Sequence, residues 1–190
     1  MLTSPELARK HAAGLSFDDY VATGSPHQRD AWRSFLERVE LTEDQSRLLA
    51  GFAREVNAIV LSGTWCGDCV QQAPFLARFA EASGGRFRPR FLDRDTHADL
   101  AERVMISAGL RVPVVIYLNE DFDFISLFGD RSLSRYRALA ARSLGASCPL
   151  PGAHVDGDEV RATQQDWLDE LERVHLLCRL SPKLRARHGD

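Results

Sequence analysis

Ser62-Gly63-Thr64-Trp65-Cys66-Gly67-Asp68-Cys69-Val70 sets two thiols either side of a two-residue spacer, between an apolar run and a helical pattern. Residues 58–61 are apolar throughout, as in a buried strand, and beyond Cys69 the apolar positions Val70, Ala73, Leu76 and Ala80 recur at helical spacing. Cys66 therefore falls at a helix N-terminus. Unpaired backbone N–H groups and the helix dipole favour negative charge there, which pulls a thiol below the roughly 8.5 of free cysteine. Cys69 lies one turn further in, within reach of a mixed disulfide formed on Cys66, and Gly67 lets other backbone approach closely. A C-x-x-C beside a βαβ pattern in a chain with few cysteines points to redox chemistry.

Outward from this stretch, the residues resemble a known family. Trp65-Cys66-Gly67-Asp68-Cys69 is similar to the W-C-G-x-C active site of thioredoxins, Pro74 matches that family's kinking proline, and Arg111-Val112-Pro113-Val114 resembles its cis-proline segment. A narrower resemblance is to bacterial thioredoxin-like proteins with W-C-G-D-C and a downstream arginine-aspartate pair, matched by Arg94-Asp95. The resemblance covers residues 55–145. It implies a thioredoxin-like fold, Cys66 and Cys69 as the catalytic pair, and Trp65, Val112 and Pro113 as substrate contacts. The cis Val112-Pro113 bond is implied by the resemblance alone, since sequence by itself favours trans.

Two positions depart from the family. Asp68 stands where thioredoxins carry a proline, and Val60 where they bury an aspartate that assists the second cysteine. Gly67 and Asp68 are thus expected to modulate the site. A carboxylate beside Cys66 disfavours its thiolate, and Asp68 is also a candidate to accept the Cys69 proton. The plain alternative is a solvated acid in the first turn of a helix, where acids are favoured anyway.

Composition sets the wider limits. The 190 residues suffice for one domain with helical additions; 44% are hydrophobic and 27% charged, as in soluble globular proteins. The formal net charge of −3 argues against general binding to nucleic acid or anionic membranes, so neither is expected as a partner. No apolar run approaches the roughly 18 residues that span a bilayer. Glu6, Arg9, Lys10, His11, Asp18 and Asp19 interrupt any signal-peptide core, and a cytoplasmic location is expected.

In chain order, Ser4-Pro5-Glu6 opens a short helix ended by Gly14. Trp32, Phe35, Leu36 and Val39 form an apolar helical face, and Thr42 with Gln45 opens another helix whose Leu48, Leu49 and Phe52 face inward. This N-terminal helical extension, residues 1–54, replaces the strand that begins a minimal thioredoxin; packing is its plain role, with cover for a sheet edge or the active-site groove as the alternative. Phe87 to Leu92 is a strand in which Pro89 suits an edge or bulge. Thr96 caps a helix with Ala101, Val104, Met105 and Ala108 buried, stopped by Gly109. Val114–Leu118 and Phe122–Phe128 form a hairpin, followed by a helix over 132–144 with Leu133, Tyr136, Leu139 and Ala140 inward. The α/β domain of residues 55–145, a mixed sheet with helices on both faces, is followed by residues 146–190: a proline- and glycine-rich linker, a helix with Trp167, Leu171, Val174 and Cys178 on one face, and a frayed basic tail of Lys183, Arg185, Arg187 and His188.

A zinc site is the main rival for the dithiol, but no second C-x-x-C exists, and only His175, Cys178 and Cys148 offer a composite. Cys178 sits on an apolar stripe as a core filler, and Cys148 lies in a loop as an incidental or regulatory thiol. Arg94 and Asp95 fall where a strand meets a helix, with turn and site roles both open. The expected activity is thiol-disulfide exchange with a disulfide-containing protein, renewed by an unidentified reductant, with no bound cofactor and no metal. The alternative is a thioredoxin-fold binding module whose dithiol is incidental or binds metal.

Overall fold

The computed structural model describes residues 2–144 and 158–189. Its centre is β1 (Val56–Ser62), every residue of which is buried. Side chains alternate between the two faces of a strand, so burial throughout means that both faces of β1 are covered, and only an apolar run such as Ala58-Ile59-Val60-Leu61 satisfies that. β1 runs parallel to β2 (Phe87–Asp93) and antiparallel to β3 (Val114–Leu118), which pairs antiparallel with β4 (Phe124–Gly129); the sheet order is β2-β1-β3-β4. Between β1 and β2 runs α5 (Gly67–Ala82), which carries Pro74 inside it and buries Phe75, Leu76 and Phe79.

The N-terminal extension contains α1 (Ser4–Ala13), α2 (Phe17–Ala22), α3 (Pro26–Glu37) and α4 (Glu43–Ala50). Both α3 and α4 open with capping boxes, Ser25 with Gln28 and Thr42 with Gln45, in which each N3 side chain returns the bond made by its N-cap hydroxyl. α1 starts one residue earlier than expected, with Thr3 as N-cap. The six residues of α2 are too few to show a helical period, although Ser16 caps them by accepting the Asp19 N–H. Leu15 bridges Phe91 through two backbone hydrogen bonds of 2.9 Å, covering part of the β2 edge. Pro89 is tolerated because β2 is the edge strand of the sheet among the described residues, bridged there only at Phe91.

Four expectations fail. The strand expected from Phe122 begins only at Phe124, because Phe122 takes a positive φ of 59° and belongs to the turn. The helix after β2 is one turn, α6 (Ala98–Ala101); Thr96 does not cap it, because Asp93 Oδ1 instead gathers the Asp95 and Thr96 N–H groups at 3.0 and 2.9 Å. The chain then turns through Ser107 and Ala108 at positive φ, leaving Met105 49% exposed. α7 (Leu133–Leu144) buries only Ala138, while Leu133 and Tyr136 are exposed and Leu139 and Ala140 half-buried, because α7 packs chiefly on the long helix Glu159–Leu180. The basic tail is not frayed: Pro182–His188 form α9, closed by Gly189 in the left-handed region, with Arg187 and His188 paired to Asp121.

α8 (Glu159–Leu180) supplies Trp167, Leu168, Leu171 and Val174 to the same buried cluster as Trp32, Phe75 and Ile59. Phe128 meets Trp167 edge-on at 4.7 Å, and Phe52 stacks on His175 at 4.1 Å. Both extensions are thus continuous with the core around the sheet. Among the described residues, no helix is long and apolar enough to cross a membrane.

Candidate active site

β1 ends at Ser62, and the chain turns through Gly63, where a Cβ would lie 2.6 Å from the Trp65 ring. Only glycine lets the indole fold back against the turn. Cys66 then takes the N-cap position of α5 with extended backbone, and its Sγ accepts the Cys69 N–H at 3.4 Å. The turn is held from outside by α3: Trp32 Nε1 donates to the Thr64 carbonyl at 3.0 Å, and the Thr64 hydroxyl donates to Gln28 at 3.2 Å. The N-terminal extension therefore touches the thiol-bearing loop as well as the sheet edge.

The two sulfurs sit in opposite environments. Cys66 is partly exposed, and its pKa falls from 9.0 to about 6, first because the Cys69 thiol donates to it, and then through the backbone N–H groups of Cys69 and Asp68. Burial and the Asp68 charge oppose that fall. Cys69 is fully buried and pushed well above 9.0, by burial first and by its bond to Cys66 second. Side-chain donation, more than the helix terminus itself, sets the difference. The arrangement can hold one sulfur as a thiolate at neutral pH and keep the other protonated behind it.

Asp68 is not a solvated acid. Its Oδ2 accepts from Arg131 at 2.5 Å and its Oδ1 from Arg135 at 2.9 Å. Arg135 also pairs with Glu159 at the start of α8, and Glu159 with Arg142. Both carboxylate oxygens are thereby committed to the two arginines, which partly offset the charge that Asp68 sets beside Cys66. Gln72, fully buried one turn beyond Asp68, ties the same elements together: its Nε2 donates to the carbonyls of Asp68 and Asp130, and its Oε1 accepts from Ser132 N–H and Trp167 Nε1 at 3.2 and 3.1 Å.

Opposite Cys66 runs the segment 111–114. Its Val112-Pro113 bond is cis, and the Val112 carbonyl lies 3.7 Å from Cys66 Sγ, a weak contact available to the protonated thiol. Gly129, at φ 147°, packs on this segment so closely that a Cβ would lie 2.3 Å from the Pro113 oxygen. Trp65 is 50% exposed beneath the Arg94 guanidinium, 4.7 Å from its ring. Arg94 is itself held by Asp95 and by the Leu110 carbonyl at 2.9 Å.

The structure thus brings Trp65, Cys66, Gly67, Asp68, Cys69, Val112 and Pro113 together, and adds Arg94, for which turn and site roles were both open. Trp32, Gln72, Arg131 and Arg135 were missed. The i, i+4 spacing of the two arginines was visible, but their partner 63 residues earlier had no local signal. Cys178 lies elsewhere, buried and pushed up to about 11, and His175 uses Nε2 to accept the Ala53 and Arg54 N–H groups. Cys148 lies outside the described residues.

A sequence profile described as thioredoxin matches residues 14–141. The chain belongs to the thioredoxin family. This thioredoxin-family fold also superposes on a Pseudomonas aeruginosa protein of unknown function, with a TM-score of 0.70, 20% identity, and coverage of 91% of this chain and 99% of that one. An HIV epitope-scaffold gives 0.60, 19% identity, and 88% and 92% coverage. Both likenesses concern the fold. No curated protein matches the sequence.

Proposed function

We propose that this thioredoxin-family chain is a thiol-disulfide oxidoreductase that reduces or exchanges disulfides in protein substrates, in the cytoplasm and with no bound cofactor. The observation that carries the reading is the unequal pair: a partly exposed Cys66 with a pKa of about 6 directly in front of a buried, protonated Cys69. The Cys66 thiolate attacks a substrate sulfur, the substrate's other sulfur leaves, and Cys69 then attacks Cys66 to form the internal disulfide and release the second substrate thiol. An external reductant restores the dithiol. Extended substrate backbone lies along Val112 and Pro113, with Trp65 as an apolar contact and Asp68 tuning Cys66.

Mass-mapped alkylation of the reduced protein at neutral pH is expected to label Cys66 first, and Cys69→Ser to trap insulin as a mixed disulfide on Cys66. Faster labelling of Cys69 or Cys178, or insulin reduction that survives Cys66→Ser, refutes the reading.

A further inference from the structure

Resolution of a mixed disulfide requires Cys69 to lose its proton in a site that disfavours the thiolate. Asp68, the obvious acceptor, is held by Arg131 and Arg135. Two other buried polar side chains belong to the surroundings of the dithiol, Ser62 acting on Cys69 and Tyr20 on Ser62. Ser62, the last residue of β1, is fully buried, and Tyr20 of α2 is 1% exposed. Neither hydroxyl oxygen has a hydrogen bond of full geometry, an unfavourable state for buried polar atoms unless a partner arises during function. They are nonetheless close neighbours: Ser62 favours the ionised forms of both Cys69 and Tyr20, and Tyr20 senses the charge of both thiols and of Asp93. The Tyr20 ring is clamped between Phe91, stacked at 5.6 Å, and Trp32, edge-on at 5.7 Å.

We propose that Ser62 and Tyr20 form a buried hydroxyl chain that stabilises the Cys69 thiolate during resolution, Ser62 donating to Cys69 Sγ and Tyr20 positioning Ser62 by donating to its Oγ. The inference rests on the oxidoreductase reading and assigns a role in it to the N-terminal extension. In this step Cys69 Sγ bonds to Cys66 Sγ, the bond from Cys66 to the substrate sulfur breaks, that sulfur departs with the electron pair, and the proton given up by Cys69 S–H passes through water to the departing sulfur, so that no net proton or electron is gained or lost. No other oxidant or reductant enters. The ionisable groups near the cluster include Cys66, which is uncharged in the mixed disulfide, Asp93 on β2, and His97, which lines the same cavity as Tyr20; the Gly63 N–H adds to the stabilisation of Cys69.

The test is a two-step reaction of the reduced full chain with the aromatic disulfide DTNB. The first thionitrobenzoate is released as Cys66 is loaded, and the second as Cys69 displaces the group from Cys66. Ser62→Ala is expected to slow the second release about tenfold, as for loss of one hydrogen bond to a charged group, and Tyr20→Phe severalfold. Both are expected to move the pH midpoint of the second step upward while the first step keeps its rate and midpoint, which also reports an intact fold. Ser62→Thr, which keeps the hydroxyl, is expected to retain the parent's second-step midpoint. If the parent releases both equivalents and the Ala and Phe variants match it in rate and pH profile, the hydroxyl chain is refuted and the oxidoreductase reading stands. If the parent never releases the second equivalent, both fall.

Discussion

Replacing Asp68 by Asn isolates the carboxylate that distinguishes this dithiol. The change removes one negative charge that raises the Cys66 pKa and leaves Arg131 and Arg135 without their shared partner. Both consequences favour the Cys66 thiolate. A unit charge removed from a partly screened position near a thiolate changes its energy by on the order of 1 kcal/mol, a little under one pH unit. The midpoint is therefore expected to fall from about 6 to a little above 5. At pH 7 a thiol of pKa about 6 is already about nine-tenths ionised, so the alkylation rate there barely rises and drifts downward as the sulfur becomes less nucleophilic. The effect has to be read from the full pH profile of Cys66 alkylation, or from the reduction potential, which becomes more oxidising by about 30 mV for each 1.4 kcal/mol by which the reduced form gains.

The arginines supply the control. Arg131→Gln with Arg135→Gln unmasks Asp68 and is expected to raise the Cys66 midpoint by a similar amount, and Asp68→Asn placed in that background should produce a larger downward shift than in the parent. A midpoint for Asp68→Asn within about 0.2 units of the parent would refute the electrostatic account, leaving the Cys69 bond and the helix start as sole determinants.

Gly129→Ala places a Cβ against the Pro113 carbonyl at a positive-φ position, so a loss of about 2 kcal/mol or more is expected in denaturant unfolding, with trapping of a protein substrate impaired more than reaction with a small alkylating agent. Trp32→Phe keeps an aromatic ring but removes the pyrrole ring with its donor to Thr64; faster amide exchange at residues 64–66 and a loss of about 2 kcal/mol or more are expected, and unchanged exchange would show that α3 does not restrain the loop. Burial lowers the pKa of His175, with Arg179 and Arg54 adding to the shift, so the neutral ring favours the folded state. That contribution is complete above an unfolded-state value of about 6.5 and is lost as pH falls through the lower folded value; stability should drop by on the order of 1 kcal/mol from pH 7.5 to about 5.5, and His175→Gln should flatten part of that drop.

What could be read in the sequence was short-range or periodic. The apolar run at 58–61 and the spacing of Val70, Ala73 and Leu76 determine a strand followed by a helix, and with Trp65-Cys66-Gly67-Asp68-Cys69 they place Cys66 at a helix start whatever else the chain does. The two capping boxes are likewise local, since every group in them lies within four residues. The period over 101–108 misled because apolar spacing reports a helix only where a surface exists to cover it, and there Asp93 and the positive-φ turn at Ser107 and Ala108 redirect the chain. The same reason governs α7, whose partner is one helix instead of the sheet.

Charge and donor partners lay beyond sequence. Asp68 reads as a modulating carboxylate, with a solvated acid as the alternative, until the fold delivers Arg131 and Arg135 from 63 and 67 residues away, and Trp32 reads as core until its N–H meets the Thr64 carbonyl. Local backbone preferences decide where elements begin, but a pKa or a restrained loop depends on what stands within a few ångströms in space. Only the folded chain, with β1 between β2 and β3 and helical flanks on either side, brings those distant groups within that range.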